Sequence, residues 1–154
     1  MQGRFIREDG LIIPNNISQA GAQAFLAAAF RNDVPTFYVG LVTGPPSLTM
    51  TLADMIEPTV GVNGYARQNI ARNSGGWPTQ GVAGNQRFVE SDWITFTATG
   101  GNFDQPIQRL ALFNTNVVAP VNPIWALSSP MSNAYVITPS TPLAERRFKY
   151  AVYL

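Results

Sequence analysis

The sequence predicts a mainly-β fold, an antiparallel β-sandwich of jelly-roll or related Greek-key type, with one N-terminal α-helix and a short second helical turn. Three observations carry that expectation. Short runs rich in branched and aromatic residues recur at 36–43, 87–90, 93–99, 107–114, 123–128, 134–138 and 146–154, each followed by Gly, Pro, Asn or Ser clusters that break the chain. Only the stretch 15–43 contains a convincing helical period. At 154 residues the chain fits one domain with a real core.

Taken in order, residues 1–14 hold Arg4, Phe5, Ile6 and Arg7 beside Leu11, Ile12 and Ile13. So many large apolar residues ahead of the first helix cap are expected to form an extended segment, a first strand or an arm, that docks on its own domain or on a neighbour; the favoured reading is an arm for a neighbouring subunit, leaving 15–154 as the domain proper. Asn16 and Ser18 are both good N-caps, since a short side-chain oxygen accepts from a backbone N–H that the first helical turn leaves unpaired. Ala22, Phe25, Leu26, Ala29 and Phe30 then recur at offsets of three and four, which predicts a buried face, with an end near Arg31 before Asn32, Asp33 and Pro35. Residues 36–43 read as a central strand, Phe37, Val39 and Leu41 on one face and Tyr38 and Val42 on the other.

After the Gly44-Pro45-Pro46-Ser47 loop, 51–58 reads as a short helical turn capped by Thr51 with Asp54 three residues on and closed by Pro58. Residues 64–71 form a weakly patterned strand, with Tyr65 and Arg67 expected near an exposed edge. Residues 72–86 are a long loop holding Trp77 between Gly76 and Pro78. Beyond it, Ile94, Phe96 and Ala98 alternate with Trp93, Thr95 and Thr97, and Phe148, Tyr150 and Val152 alternate with Arg147, Lys149 and Ala151.

Charged residues make up only 12% of the chain, against about 25% in soluble proteins generally, and the cations are nine Arg to one Lys. A surface poor in Lys and Glu but holding Arg favours permanent association, because guanidinium is weakly hydrated and forms planar paired hydrogen bonds. A net charge of +1 offers no footprint for nucleic acid or an anionic membrane. The first residues are not a secretory signal and the apolar run at 24–30 is too short to span a bilayer, so a soluble protein made in the cytoplasm is expected.

The chain has no His and no Cys, which removes Ser-His-Asp chemistry, His-based metal sites and thiolates, and no cofactor is expected. The remaining catalytic option is a carboxylate pair, drawn from Glu90 with Asp92, Asp54 with Glu57, or Glu8 with Asp9. Each is better read as solvated turn or cap residues. No phosphate loop or calcium loop is present. The basic patch of Arg146, Arg147 and Lys149 suits an acidic partner surface or is a plain strand face, and Trp77 could stack on a sugar or plug a neighbour's groove.

The order of elements resembles a small structural protein of tailed bacteriophages: the capped Ala-rich helix, then F-Y-V-G-L-V-T, T-L-A-D-M-I-E-P, G-Y-A-R-Q, W-I-T-F-T-A-T-G-G and I-Q-R-L-A-L-F-N-T, covering about residues 15–115. The resemblance implies a non-enzymatic virion component, foremost a capsid decoration (cement) protein that binds the major capsid protein, commonly as a homotrimer. A tail, baseplate or fibre-associated protein is the alternative within the virion, and a carbohydrate-binding module using Trp77 and Tyr65 is the alternative from another class. Arg4, Phe5, Ile6, Arg7, Tyr65, Arg67, Trp77, Arg146, Arg147 and Lys149 are the candidate interface residues.

Overall fold

Among the described residues ten strands join into one antiparallel sheet. In chain order they are β1 (Gln2–Arg7), β2 (Ile12–Ile17), β3 (Phe37–Val42), β4 (Gln68–Ile70), β5 (Thr79–Ala83), β6 (Gln86–Glu90), β7 (Ile94–Thr97), β8 (Arg109–Phe113), β9 (Ala126–Ser128) and β10 (Glu145–Tyr153), with helix α1 (Gln19–Phe30) between β2 and β3. The computed structural model describes residues 1–31, 36–44, 49, 51–103, 106–116, 123–131, 137 and 145–153. The helix stop signal at 32–35 lies outside them, and so does the strand expected at 134–138 apart from Ile137. Sheet order is β4-β3-β8-β9-β2-β1-β10-β6-β5, and β7 pairs with β10 beside β6. The mainly-β antiparallel expectation is met; the layers expected of a sandwich are parts of one continuous sheet.

The sheet curls until β4 lies against β7. Its inner face closes on one core, to which Phe5, Val39, Leu41, Ile70, Phe96, Leu110, Leu112, Phe148 and Tyr150 contribute from six strands. The alternation read from the sequence places these side chains inward. On β3, β8 and β9 the outer face is buried as well, since Val42, Ala111, Phe113 and Leu127 pack beneath Leu52 and Met55. The segment carrying those two residues is a turn rather than a second helix, held by Asp54 accepting from the Thr51 backbone N–H and hydroxyl.

Residues 1–14 are not an arm. β1 sits in the middle of the sheet, paired with β10 from Gln2↔Tyr153 to Arg7↔Phe148 and with β2 on its other side. Phe5 is fully buried against the Tyr150 ring at 4.8 Å. The apolar residues that suggested a docking segment dock on their own chain, because the nine-residue β10 offers a full-length partner.

Two buried serines manage the places where ladders stop. β10 pairs with β7 over its first half and with β6 over its second, and the switch falls at Ser91. There the Tyr150 N–H donates to Ser91 Oγ at 2.9 Å, Ser91 N–H donates to the Tyr150 carbonyl at 2.8 Å, and the hydroxyl donates to the Asp92 carbonyl. At the far side Leu110 N–H donates to Ser128 Oγ at 2.9 Å. Each hydroxyl stands in for a strand partner and so spares a buried backbone donor the cost of going unpaired.

Candidate interaction surface

Helix α1 begins where Ser18 caps it: its hydroxyl accepts from Gly21 N–H at 3.0 Å and donates to the Ile124 carbonyl, while Ser18 N–H donates to the Trp125 carbonyl at 2.8 Å. The cap therefore also anchors the helix to the segment entering β9. Contact there is so close that a Cβ on Gly21 would stand 2.2 Å from the Trp125 carbonyl oxygen. The face turned to the core is the small one, Ala20, Gly21 and Ala24 with Ile17 before them, and Phe25 at its margin.

This corrects the helix face expected from the sequence. Phe25 packs inward, stacked on Phe37 at 5.6 Å, but Leu26 is 52% exposed and Phe30 84% exposed. At 100° per residue they lie on roughly the opposite side from Gly21 and Ala24. Close approach of helix and sheet selected the residues with the least side chain, and the bulky apolar positions were left outside.

Leu26 and Phe30 form one wall of an apolar groove of about 280 Å³. Phe37 and Trp77 make its floor, and Val89 of β6, Val152 of β10 and Met1 complete it. The floor is rigidly built: Trp77 meets Phe37 edge-on at 5.4 Å and Tyr150 at 6.4 Å, and Phe37 meets Trp125 at 5.8 Å. Trp77 is held from behind by a turn in which its N–H donates to the Asn73 carbonyl and Asn73 Oδ1 accepts from Gly76 N–H. Isolated exposed apolar residues are ordinary on a protein surface, but a contiguous groove of them marks a docking site.

The other candidate residues are placed as follows. Trp77 is half-buried in the groove floor, and the loop expected around it contains strand β5. Tyr65 and Arg67 are not at an exposed edge: Tyr65 is 1% exposed and Arg67 6%. The Tyr65 hydroxyl donates to Glu57 at 2.6 Å and accepts from Leu41 N–H, and Arg67 pairs with Glu57 and donates to the Asn116 carbonyl at 3.1 Å. Burial, and then the Glu57 carboxylate beside it, push the Tyr65 phenol well above its ordinary value. This cluster pins 57–67 onto β3, and Tyr65 offers no platform for a sugar.

The basic patch is largely neutralised within the chain, as Arg146 pairs with Glu8 at 3.1 Å, Arg147 with Glu145 at 3.5 Å and Lys149 with Glu90 at 2.8 Å. Glu90 and Asp92 do not share a strand face, because Ser91 breaks the strand between them. Arg4 lies over the Tyr153 ring at 3.5 Å, Ile6 is half-buried, and Arg7 pairs with Asp9, holding that carboxyl down to about 2 with help from Leu11 N–H. Among the described residues no three carboxylates converge to hold a metal, and no helix is long and apolar enough to cross a membrane. A scan against models of protein families finds no match to the chain, and a search among curated proteins finds none either.

Proposed function

We propose that this chain is a non-enzymatic virion protein that decorates a capsid shell and reinforces it by adding interface area between shell subunits. The observation that carries the reading is the groove between α1 and the β6–β10 wall, where Leu26 and Phe30 stand exposed beside a preformed aromatic floor. Full burial of these two side chains on docking would contribute roughly 1.5–3 kcal/mol each, enough to anchor an interface whose remaining contacts supply fit. The low charge of the chain and its excess of Arg over Lys support permanent association. The order of sequence elements supports the phage setting.

Quantitative mass analysis of particles carrying the chain tests this. Hundreds of copies per particle are expected for a decoration protein; a handful of copies would move the chain to the tail or baseplate, and its absence from particles would sink the reading. Phe30→Ser should reduce particle occupancy at least about tenfold if the groove is the docking surface.

A further inference from the structure

The sheet has two ends, and they differ. β4 at one end is turned against β7 by the curl, whereas β5 at the other end continues past the closed body as the outer strand of a β5–β6 hairpin. A two-residue loop, Gly84-Asn85, joins these strands, with Gly84 at φ 61 in the first central position, as a type II′ turn requires. In such a hairpin the flanking pair, Ala83↔Gln86, exchanges both backbone hydrogen bonds, and bonded and non-bonded pairs alternate from there. Thr79, Gly81 and Ala83 therefore spend their N–H and C=O groups on β6. Gln80 and Val82 direct theirs to the other side, which no strand pairs among the described residues.

We propose that this open side is the pairing edge for a second copy of the chain, β5 lying antiparallel to its symmetry mate about a twofold axis at Gly81. That register sets Gln80 opposite Val82 of the partner subunit and Val82 opposite Gln80 of the partner subunit. The N–H and C=O groups that both copies point outward then bond one another, four hydrogen bonds in all by the alternation of an antiparallel ladder. Gly81 meets its own mate at the axis in the closely spaced, non-bonded position, where the absence of a Cβ helps most. The Gly81 Cα already lies under Phe88, since a Cβ there would stand 3.0 Å from the Phe88 ring.

Sequence and charge agree with a self-pairing strand. Natural edges are blunted by Lys, inward charges, proline or bulges, and Thr79-Gln80-Gly81-Val82-Ala83 has none of these. The charges of the hairpin, Arg87 and Glu90, sit on β6, one strand away from the edge, so the twofold brings no like charges opposite each other. Val82, 57% exposed, gains a neighbour in the partner's Gln80. Pro78 ends the edge immediately before Thr79 and limits slippage to longer registers. A twofold axis builds dimers, not the threefold ring that the phage resemblance implies, and the pairing does not depend on the virion reading.

Sedimentation equilibrium of the full chain across the micromolar range tests the proposal, alongside Val82→Pro and Val82→Lys. Proline at 82 removes an outward N–H while leaving the β5–β6 bonds in place, and Gly81 ahead of it accommodates the backbone restriction. Wild type should dimerise reversibly, each variant should raise the dissociation constant at least about tenfold, and both should retain the wild-type circular dichroism and melting temperature. Amide exchange should show Gln80 and Val82 protected at high concentration and fast on dilution. If Val82→Pro misfolds, Val82→Lys and the exchange data decide. A wild-type monomer at every concentration, a trimer as the only oligomer, or a dimer indifferent to Val82→Lys would overturn the assignment.

Discussion

The curled body and the β5–β6 hairpin use the same strand chemistry to opposite ends. In the body each strand has two partners or a covered side, the core face is filled, and even the gaps at Ser91 and Ser128 are closed by hydroxyls. The hairpin keeps one edge open and leaves Val82 and Val89 in solvent, beside a helix that shows solvent its bulky apolar side. The difference separates what the chain needs to fold from what it presents to others. Burial inside the body stabilises the monomer, whereas apolar surface on the hairpin and outer helix returns free energy only when something covers it.

That division can be broken most severely inside the body. Arg67→Ala leaves the Glu57 carboxylate and the Asn116 carbonyl without their cation, and should cost about 3–5 kcal/mol in denaturant unfolding, as breaking a buried pair does. A loss below 1 kcal/mol would mean that water reaches Glu57 and that the body is less closed than described. Ser91→Ala should cost roughly 1–3 kcal/mol, because the Tyr150 N–H loses its acceptor at the ladder switch.

Alkaline titration sharpens the same contrast. Burial raises the phenols of both Tyr65 and Tyr150, so the folded state holds their protons more tightly than the unfolded chain. The stability this gives is complete below the ordinary value of 10.0 and is lost as pH rises beyond it. Phenolate absorbance from these two residues should appear only together with unfolding; free titration before unfolding would show the core to be open. The smallest expected effect is on the outer helix face. Phe30→Ser should change unfolding free energy by no more than about 0.5 kcal/mol, since an 84% exposed side chain loses little, and a larger loss would make Phe30 part of the core.

Periodicity identified β7 and β10 because alternation in β7 and in the first half of β10 matches a pleated sheet with one buried face. The same reasoning failed on α1 because the helix offers two apolar faces, and hydrophobicity alone favours the larger side chains. Gly21 was the available clue: a glycine amid alanines marks a close approach and therefore the buried side. Strand β5 was hidden by Gly81 and Gly84, which read as loop. Residues 1–14 read as an arm because their partner, β10, lies far along the sequence, where local pattern has no reach. Tyr65 and Arg67 read as interface residues in the sequence because their partner Glu57 is brought beside them only by the turn at 61–64.

The β1–β10 ladder also fixes when the protein can become itself. β1 leaves the ribosome well before the strand that must flank it, because most of this sequence lies between the two. At roughly 5–20 residues per second that interval is on the order of ten seconds. Throughout it the β1–β2 hairpin carries Phe5 and Ile13 without β10 beside it. Such long-range pairing is slow to form and exposed to misassembly while it waits, so synthesis rate and chaperone supply should govern the soluble yield of this chain more strongly than its final stability does.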